Sequence, residues 1–86
     1  MPDGGEQEIT RPDPREVREA FGASLRQRRT ARGLTQDQMG EKAGVSGSTV
    51  GLIEAAKNGP TLTVAVLLAA ALETTVDTMT GRAARG

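Results

Sequence analysis

The sequence contains no cysteine and no histidine, and its only aromatic residue is Phe21. These absences exclude disulfides, thiolate nucleophiles, the usual zinc ligands and the commonest general base at neutral pH. One aromatic residue cannot build the stacking platform of a protein that binds single-stranded nucleic acid. The 86 residues allow only one small domain. We therefore expect no catalytic residues, no metal site and no cofactor.

The chain also lacks a long apolar run and an excess of either charge. Its longest apolar stretch, Val64 to Leu72, has nine residues, whereas about 20 are needed to span a bilayer. No signal peptide is visible, so we expect a soluble, cytoplasmic protein without a membrane partner. The 11 basic and 11 acidic residues cancel, unlike the basic balance of many nucleic-acid-binding domains. Residues 21–35 nevertheless carry four arginines and no acid.

The domain boundaries follow from composition. Residues 1–12 are polar, contain two glycines and two prolines, and show no periodicity, which predicts a disordered tail. We expect the folded domain over residues 13–80 and a flexible tail over residues 81–86.

Helix start and stop signals divide the domain into about five helices. Asp13 can cap the first helix, with Pro14 at its first position and Glu16 completing a capping box. The later N-caps are expected at Thr35, Ser46, Thr61 and Thr75, with glycine stops at Gly33 and Gly44. No strand alternation is visible, so the predicted fold is all-α.

The second and third predicted helices are joined by the short segment Ala43 to Ser46, which is typical of a helix-turn-helix motif. Gly44 suits the left-handed backbone conformation of such a turn, and Gly40 leaves room for two helices to cross closely. The apolar residues expected to fill the crossing point are Met39, Val50 and Ile53.

These residues resemble the phage-repressor-like helix-turn-helix regulators, the family of lambda repressor and Cro, also called the xenobiotic response element family. The resemblance covers about Phe21 to Thr80. It rests on Leu25-Arg26 with Arg29, Gly33-Leu34-Thr35-Gln36, Met39-Gly40, Ala43-Gly44-Val45-Ser46, Ser48-Thr49-Val50, Ile53-Glu54, Pro60-Thr61-Leu62, Leu68-Ala69, Leu72 and Val76-Asp77. It implies a compact five-helix domain with a central helix-turn-helix.

The resemblance further implies that the third helix enters the major groove of double-stranded DNA. The residues that would face bases are Ser46, Gly47, Ser48, Thr49, Gly51 and Leu52, and those that would meet phosphates are Gln36, Lys57 and Asn58. Relatives carry long polar side chains at several base-facing positions, so this set is poor in donors. We therefore expect Gly47→Arg to strengthen binding. Ser48 and Thr49 could equally be ordinary solvent-facing residues.

Two further expectations concern the arginines of the first helix. Relatives pair the arginine at position 29 with the acid at position 54, which implies a partly buried ion pair between Arg29 and Glu54. Arg28 and Arg32 are interpreted as a solvated face.

The fourth predicted helix is apolar on every side. At helical spacing, Leu62, Ala65, Leu68, Ala69 and Leu72 are expected to face the core. A second apolar set falls on the opposite side, and exposed apolar patches indicate partner surfaces. We expect a homodimer interface formed by Val64, Leu67, Ala71 and Met79.

Two functions remain open from the sequence. The first is a non-enzymatic, DNA-binding transcriptional regulator that acts as a homodimer. The second is a protein-interaction module, such as an antitoxin or an accessory subunit with a protein partner, that keeps the fold with weakened DNA binding. The neutral charge and the glycines of the third helix favour the second function, whereas Gln36, Gly44 and Lys57-Asn58 favour the first.

Overall fold

The computed structural model of the protein describes residues 11–81 and 83. In these residues the chain forms five α-helices and no strand: α1 Pro14–Ala31, α2 Gln36–Ala43, α3 Gly47–Glu54, α4 Leu62–Ala71 and α5 Val76–Thr80. The predicted all-α class is confirmed. The predicted tails lie largely outside the described residues, and the domain boundaries stay a prediction.

All five helices begin at the N-caps that the sequence predicts. The four Ser and Thr caps each accept a hydrogen bond from the amide three residues later. Thr35 and Gln38 form a complete capping box at α2. The capping box expected at α1 is wrong: the Asp13 carboxylate accepts from the Arg15 amide at 2.9 Å, and the Glu16 side chain makes no hydrogen bond within the described part of the chain.

Helices α1, α3 and α4 end in the same way. In each, two successive amides beyond the helix turn back to carbonyls of its last turn, as in Gly33 N to Thr30 O and Leu34 N to Arg29 O after α1. This Schellman geometry requires a left-handed residue after the C-cap. After α1 that residue is Gly33, with φ of 69°, but after α3 and α4 it is Ala56 and Glu73, each with φ of 57°. Two of the three helix ends therefore place a residue other than glycine in the left-handed conformation, which such residues disfavour.

The core lies where α1 and α2 meet α3, α4 and α5. Its largest fully buried side chains are Phe21, Leu25, Met39, Val50, Leu68 and Leu72. Two glycines allow α3 and the turn before it to approach closely. A Cβ on Gly22 of α1 would overlap the Ile53 carbonyl oxygen, and a Cβ on Gly40 of α2 would overlap the Val45 carbonyl oxygen. The orientation of α3 is thus set by backbone contact as well as by apolar packing.

The packing of α4 corrects several expectations. Leu62, expected to face the core, is 78% exposed. Met79, expected in a dimer interface, is 3% exposed, because α5 folds back on α1 and α4 and buries it in the protomer. Val64 and Ala71 are half-buried against the core, which leaves Leu67, 40% exposed, as the exposed member of the predicted interface.

Candidate nucleic-acid interface

The third helix presents a small, sparsely polar surface. The Ser46 hydroxyl caps α3 by accepting from the Thr49 amide at 3.0 Å, and it lies 2.8 Å from the Thr49 hydroxyl. Both hydroxyls therefore already have a hydrogen-bond partner at the start of α3. Ser48 and Leu52 are exposed, four residues apart on one side of the helix.

Gly47 does not provide an open position on this surface. A Cβ there would overlap the Asp37 carboxylate and would lie 3.0 Å from the Asp37 Cα atom. A longer residue could displace the carboxylate, and the backbone of α2 would then have to give by a few tenths of an ångström. A side chain at position 47 would therefore have to displace the Asp37 carboxylate, and the expectation that Gly47→Arg strengthens binding stays a prediction.

Gln36 lies against Gly51, the second glycine of α3. Its Nε2 donates to Glu54 Oε1 at 3.2 Å, and a Cβ on Gly51 would stand 3.1 Å from Gln36 Oε1. The two glycines of α3 thus make room for two polar side chains of α2. Gln36 remains exposed, so it can still meet a ligand that approaches α3.

Arg29 and Glu54 are brought together and hold α1 to the end of α3. Arg29 donates from Nε to Glu54 Oε2 at 2.6 Å and from Nη2 to Oε1 at 3.0 Å, while its Nη1 donates to the Leu34 carbonyl at 2.8 Å. The two side chains are 12% and 5% exposed. Such bidentate geometry is the strongest form of an arginine–carboxylate contact.

This contact raises the pKa of the Arg29 guanidinium above its usual value, mainly through the hydrogen bond to Glu54, while burial acts in the opposite direction. A cation whose pKa is higher in the folded state stabilises the fold below its unfolded pKa, and it loses this effect as the pH rises through the folded value. Arginine titrates far above neutrality. The arginine side of the pair therefore stays intact through the neutral range.

Lys57 and Asn58 follow α3 and lie beside its exposed surface. The Lys57 amide donates to the Leu52 carbonyl at 3.0 Å, which fixes the turn against the helix. Asn58 lines a shallow cleft of about 150 Å³ together with Thr49 and Leu52 of α3 and Thr61 before α4. Both side chains are exposed. We call the surface formed by Gln36, Ser48, Leu52, Lys57 and Asn58 the recognition face.

The arginines of α1 do not all point freely into solvent. Arg32 Nη2 donates to the Leu72 carbonyl at 2.9 Å, and Arg28 Nε donates to the Ser24 hydroxyl at 3.0 Å. Arg32 thus binds a C-terminal carbonyl of α4, where a cation is favoured by the helix dipole. Arg32 nevertheless remains exposed, as expected for a solvated face, and Arg26 is exposed too, whereas Arg28 is half-buried.

Sequence reasoning also missed Asp37. This exposed residue lies at the second position of α2, and its carboxylate rests against Gly47, the first residue of α3. The signal in the sequence was the glycine at the start of the predicted third helix, but only the crossing of α2 and α3 identifies what fills the space beside it.

The described residues contain neither a cluster suited to a metal ion nor a helix suited to a membrane. Among residues 11–81 and 83, no three Asp, Glu, His or Cys side chains converge so that they could hold a metal ion. None of the helices described here combines the length and apolar character needed to cross a membrane.

A family model identifies the family to which the chain belongs. The model of a helix-turn-helix domain matches residues 20–80, which include the whole of α2, the turn, α3 and α4. The chain belongs to the helix-turn-helix domain family. This is a DNA-binding family, and its members are typically non-enzymatic modules. Comparisons with curated proteins and with solved structures found no match.

Proposed function

We propose that this helix-turn-helix protein is a transcriptional regulator of the phage-repressor-like kind, which places α3 in the major groove of double-stranded DNA and acts as a homodimer. The observation that carries the proposal is the convergence of three elements on one surface. The exposed side of α3 lies between Gln36, at the start of α2, and the Lys57-Asn58 turn. Phosphate contacts on both sides of a recognition helix fix its register on a duplex.

The phosphate contacts come from the borders of the recognition face. Gln36 is the first residue of α2, where free backbone amides and the helix dipole favour an anion. Its Nε2 has a second hydrogen that is not needed for Glu54. Lys57 supplies a full positive charge on the other side of α3.

Base contacts are few. Ser48 can donate to or accept from a base edge, and Leu52, which is 43% exposed, can contact a thymine methyl group. With no long donor on α3, most of the binding free energy comes from phosphates, and sequence discrimination is modest.

The dimer rests on α4. Leu62, Val66 and Leu67 are 78%, 51% and 40% exposed, and Leu62 and Val66 lie one turn apart on the same side of the helix. A two-fold contact would bury each patch against its own copy and would present two recognition helices to two half-sites.

Fluorescence anisotropy with labelled duplexes over a salt series tests the proposal. The wild type should bind at low salt, and Lys57→Ala should weaken binding to all sequences about equally. Each lost phosphate contact should reduce the slope of log affinity against log salt by about 0.9. The matched control is Lys42→Ala, which removes the same charge from the last turn of α2 and should leave affinity and slope nearly unchanged.

The alternative is a protein-interaction module, favoured by the exposed apolar residues of α4 and the sparse donors of α3. Under this alternative the wild type would not bind duplex DNA at low salt, and Lys57→Ala and Lys42→Ala would behave alike. Either result would contradict DNA binding through the recognition face.

A further inference from the structure

Asp37 is the charged side chain that lies against the first residue of α3. A Cβ on Gly47 would overlap its carboxylate, so the carboxylate takes the place of a side chain on α3 itself. Asp37 is exposed, and within residues 11–81 and 83 no hydrogen bond or ion pair engages its oxygens. The start of α3 therefore carries an available acceptor that comes from α2.

We propose that Asp37 is a specificity-determining residue, which accepts a hydrogen bond from the N4 amino group of cytosine in the major groove. This inference rests on the proposed function, since it requires the start of α3 to meet base edges. A carboxylate is the acceptor that suits cytosine, whereas guanine and thymine present acceptor atoms that repel it. Adenine also carries an amino group, but its neighbouring N7 atom is an acceptor and therefore repels the second oxygen of the carboxylate.

The position of Asp37 also has a structural effect that the test must separate. The amides of Gly47 and Ser48 at the start of α3 have no hydrogen-bond partner in the described part of the chain, and a nearby carboxylate interacts favourably with this end of the helix dipole. A residue that only stabilises α3 changes the affinity for every DNA sequence alike. A residue that contacts a base changes which sequence is preferred.

The experiment selects binding sites from a pool of duplexes randomised over about 20 base pairs, enough for two half-sites one helical turn apart. The full chain is compared with Asp37→Asn and with Asp77→Asn, the same change in the first turn of α5. We expect wild type and Asp77→Asn to select cytosine at one position in each half-site. Asp37→Asn should select adenine there, because an amide pairs with adenine N6 and N7.

Anisotropy on the selected site and its single-base variants gives the size of the effect. The wild type should bind the cytosine site at least about 5-fold more tightly than the adenine variant, and Asp37→Asn should reverse this order. Asp37→Ser, which removes the carboxylate without supplying an amide, should lose the cytosine preference without gaining one for adenine. Thermal melts establish whether each variant is folded. If Asp37→Asn does not fold, the loss of the cytosine preference in Asp37→Ser tests the inference instead.

Three results would overturn the inference. One is that the Asp37 variants change the affinity for all DNA sequences equally, which would show that Asp37 acts only on the structure of α3 or through its general charge. Another is wild-type binding with no cytosine preference, which would reject the inference and leave the proposed function in place. The third is no binding of the wild type to any duplex at low salt, which would reject both.

Discussion

The α2-turn-α3 region and α4 are held in the fold by different means. The first region is fixed by backbone contacts at glycines, by capping hydrogen bonds and by the Arg29–Glu54 pair, and most of its exposed residues other than Leu52 are polar. In contrast, α4 contains no charged residue, and it is held by burial of Ala65, Leu68 and Ala69 on one side while Leu62 and Val66 remain exposed on another.

The difference bears on what each region can tolerate. Backbone crossings and a buried ion pair fix one orientation, so substitutions at these points in the helix-turn-helix should be costly. An apolar helix fixed by side-chain burial tolerates changes on its exposed side, which leaves that side available for a partner.

Gly40→Ala should cause the largest loss of stability. Its Cβ would overlap the Val45 carbonyl oxygen and lie 2.9 Å from the Ser46 carbonyl carbon, so the backbone of the turn would have to move. We expect a loss of about 3 kcal/mol in the free energy of unfolding, measured by urea denaturation.

Gly51→Ala is the matched control for that change, because its Cβ would meet only the flexible end of Gln36 at 3.1 Å. It should stabilise α3 by about 0.5 kcal/mol through helix propensity. Equal losses for the two variants would show that the close crossing does not fix the motif.

Arg29→Ala should destabilise the protein by about 2–3 kcal/mol, because it leaves the 5% exposed Glu54 side chain with only the Gln36 donor. Glu54→Ala should cost less, since Arg29 retains its contact with the Leu34 carbonyl. Arg28→Ala, which removes only a contact to Ser24, is the control. Thermal melts that do not distinguish Arg29→Ala from Arg28→Ala would show that the pair contributes little.

Val66→Glu should weaken the proposed dimer by at least about 10-fold, because two-fold symmetry places both new charges in one apolar contact. Sedimentation should show a folded monomer, and Gln27→Glu on the exposed side of α1 should leave assembly unchanged. A wild type that remains monomeric at high micromolar concentration would remove the basis for this interface.

The smallest effects are expected at the left-handed residues that follow α3 and α4. Ala56→Gly and Glu73→Gly should each stabilise the protein by about 0.5–1 kcal/mol, because both residues have φ of 57° and glycine removes the strain. The two regions should respond alike in thermal melts, since the turns share one hydrogen-bond pattern. A loss of stability at either position would contradict this account.

The helices and the turn between α2 and α3 follow from local signals in the sequence. Thr35, Ser46, Thr61 and Thr75 act on amides only three residues away, and Gly44 adopts its left-handed conformation locally. Such signals depend on neighbours in the chain, so they can be recognised without the fold. The same local pattern predicted the helix-turn-helix motif, which the family-model match over residues 20–80 confirms.

The surfaces that remain available depend on how the helices pack, which local signals do not contain. The apolar pattern of α4 is nearly uniform around the helix, so it could not distinguish exposed Leu62 from buried Leu68, and Met79 is buried by elements distant in sequence. Likewise, Asp37 and Gly47 are ten positions apart, and their contact arises from the crossing of α2 and α3. Local propensity sets where helices begin and end, but the available surface depends on how the helices pack.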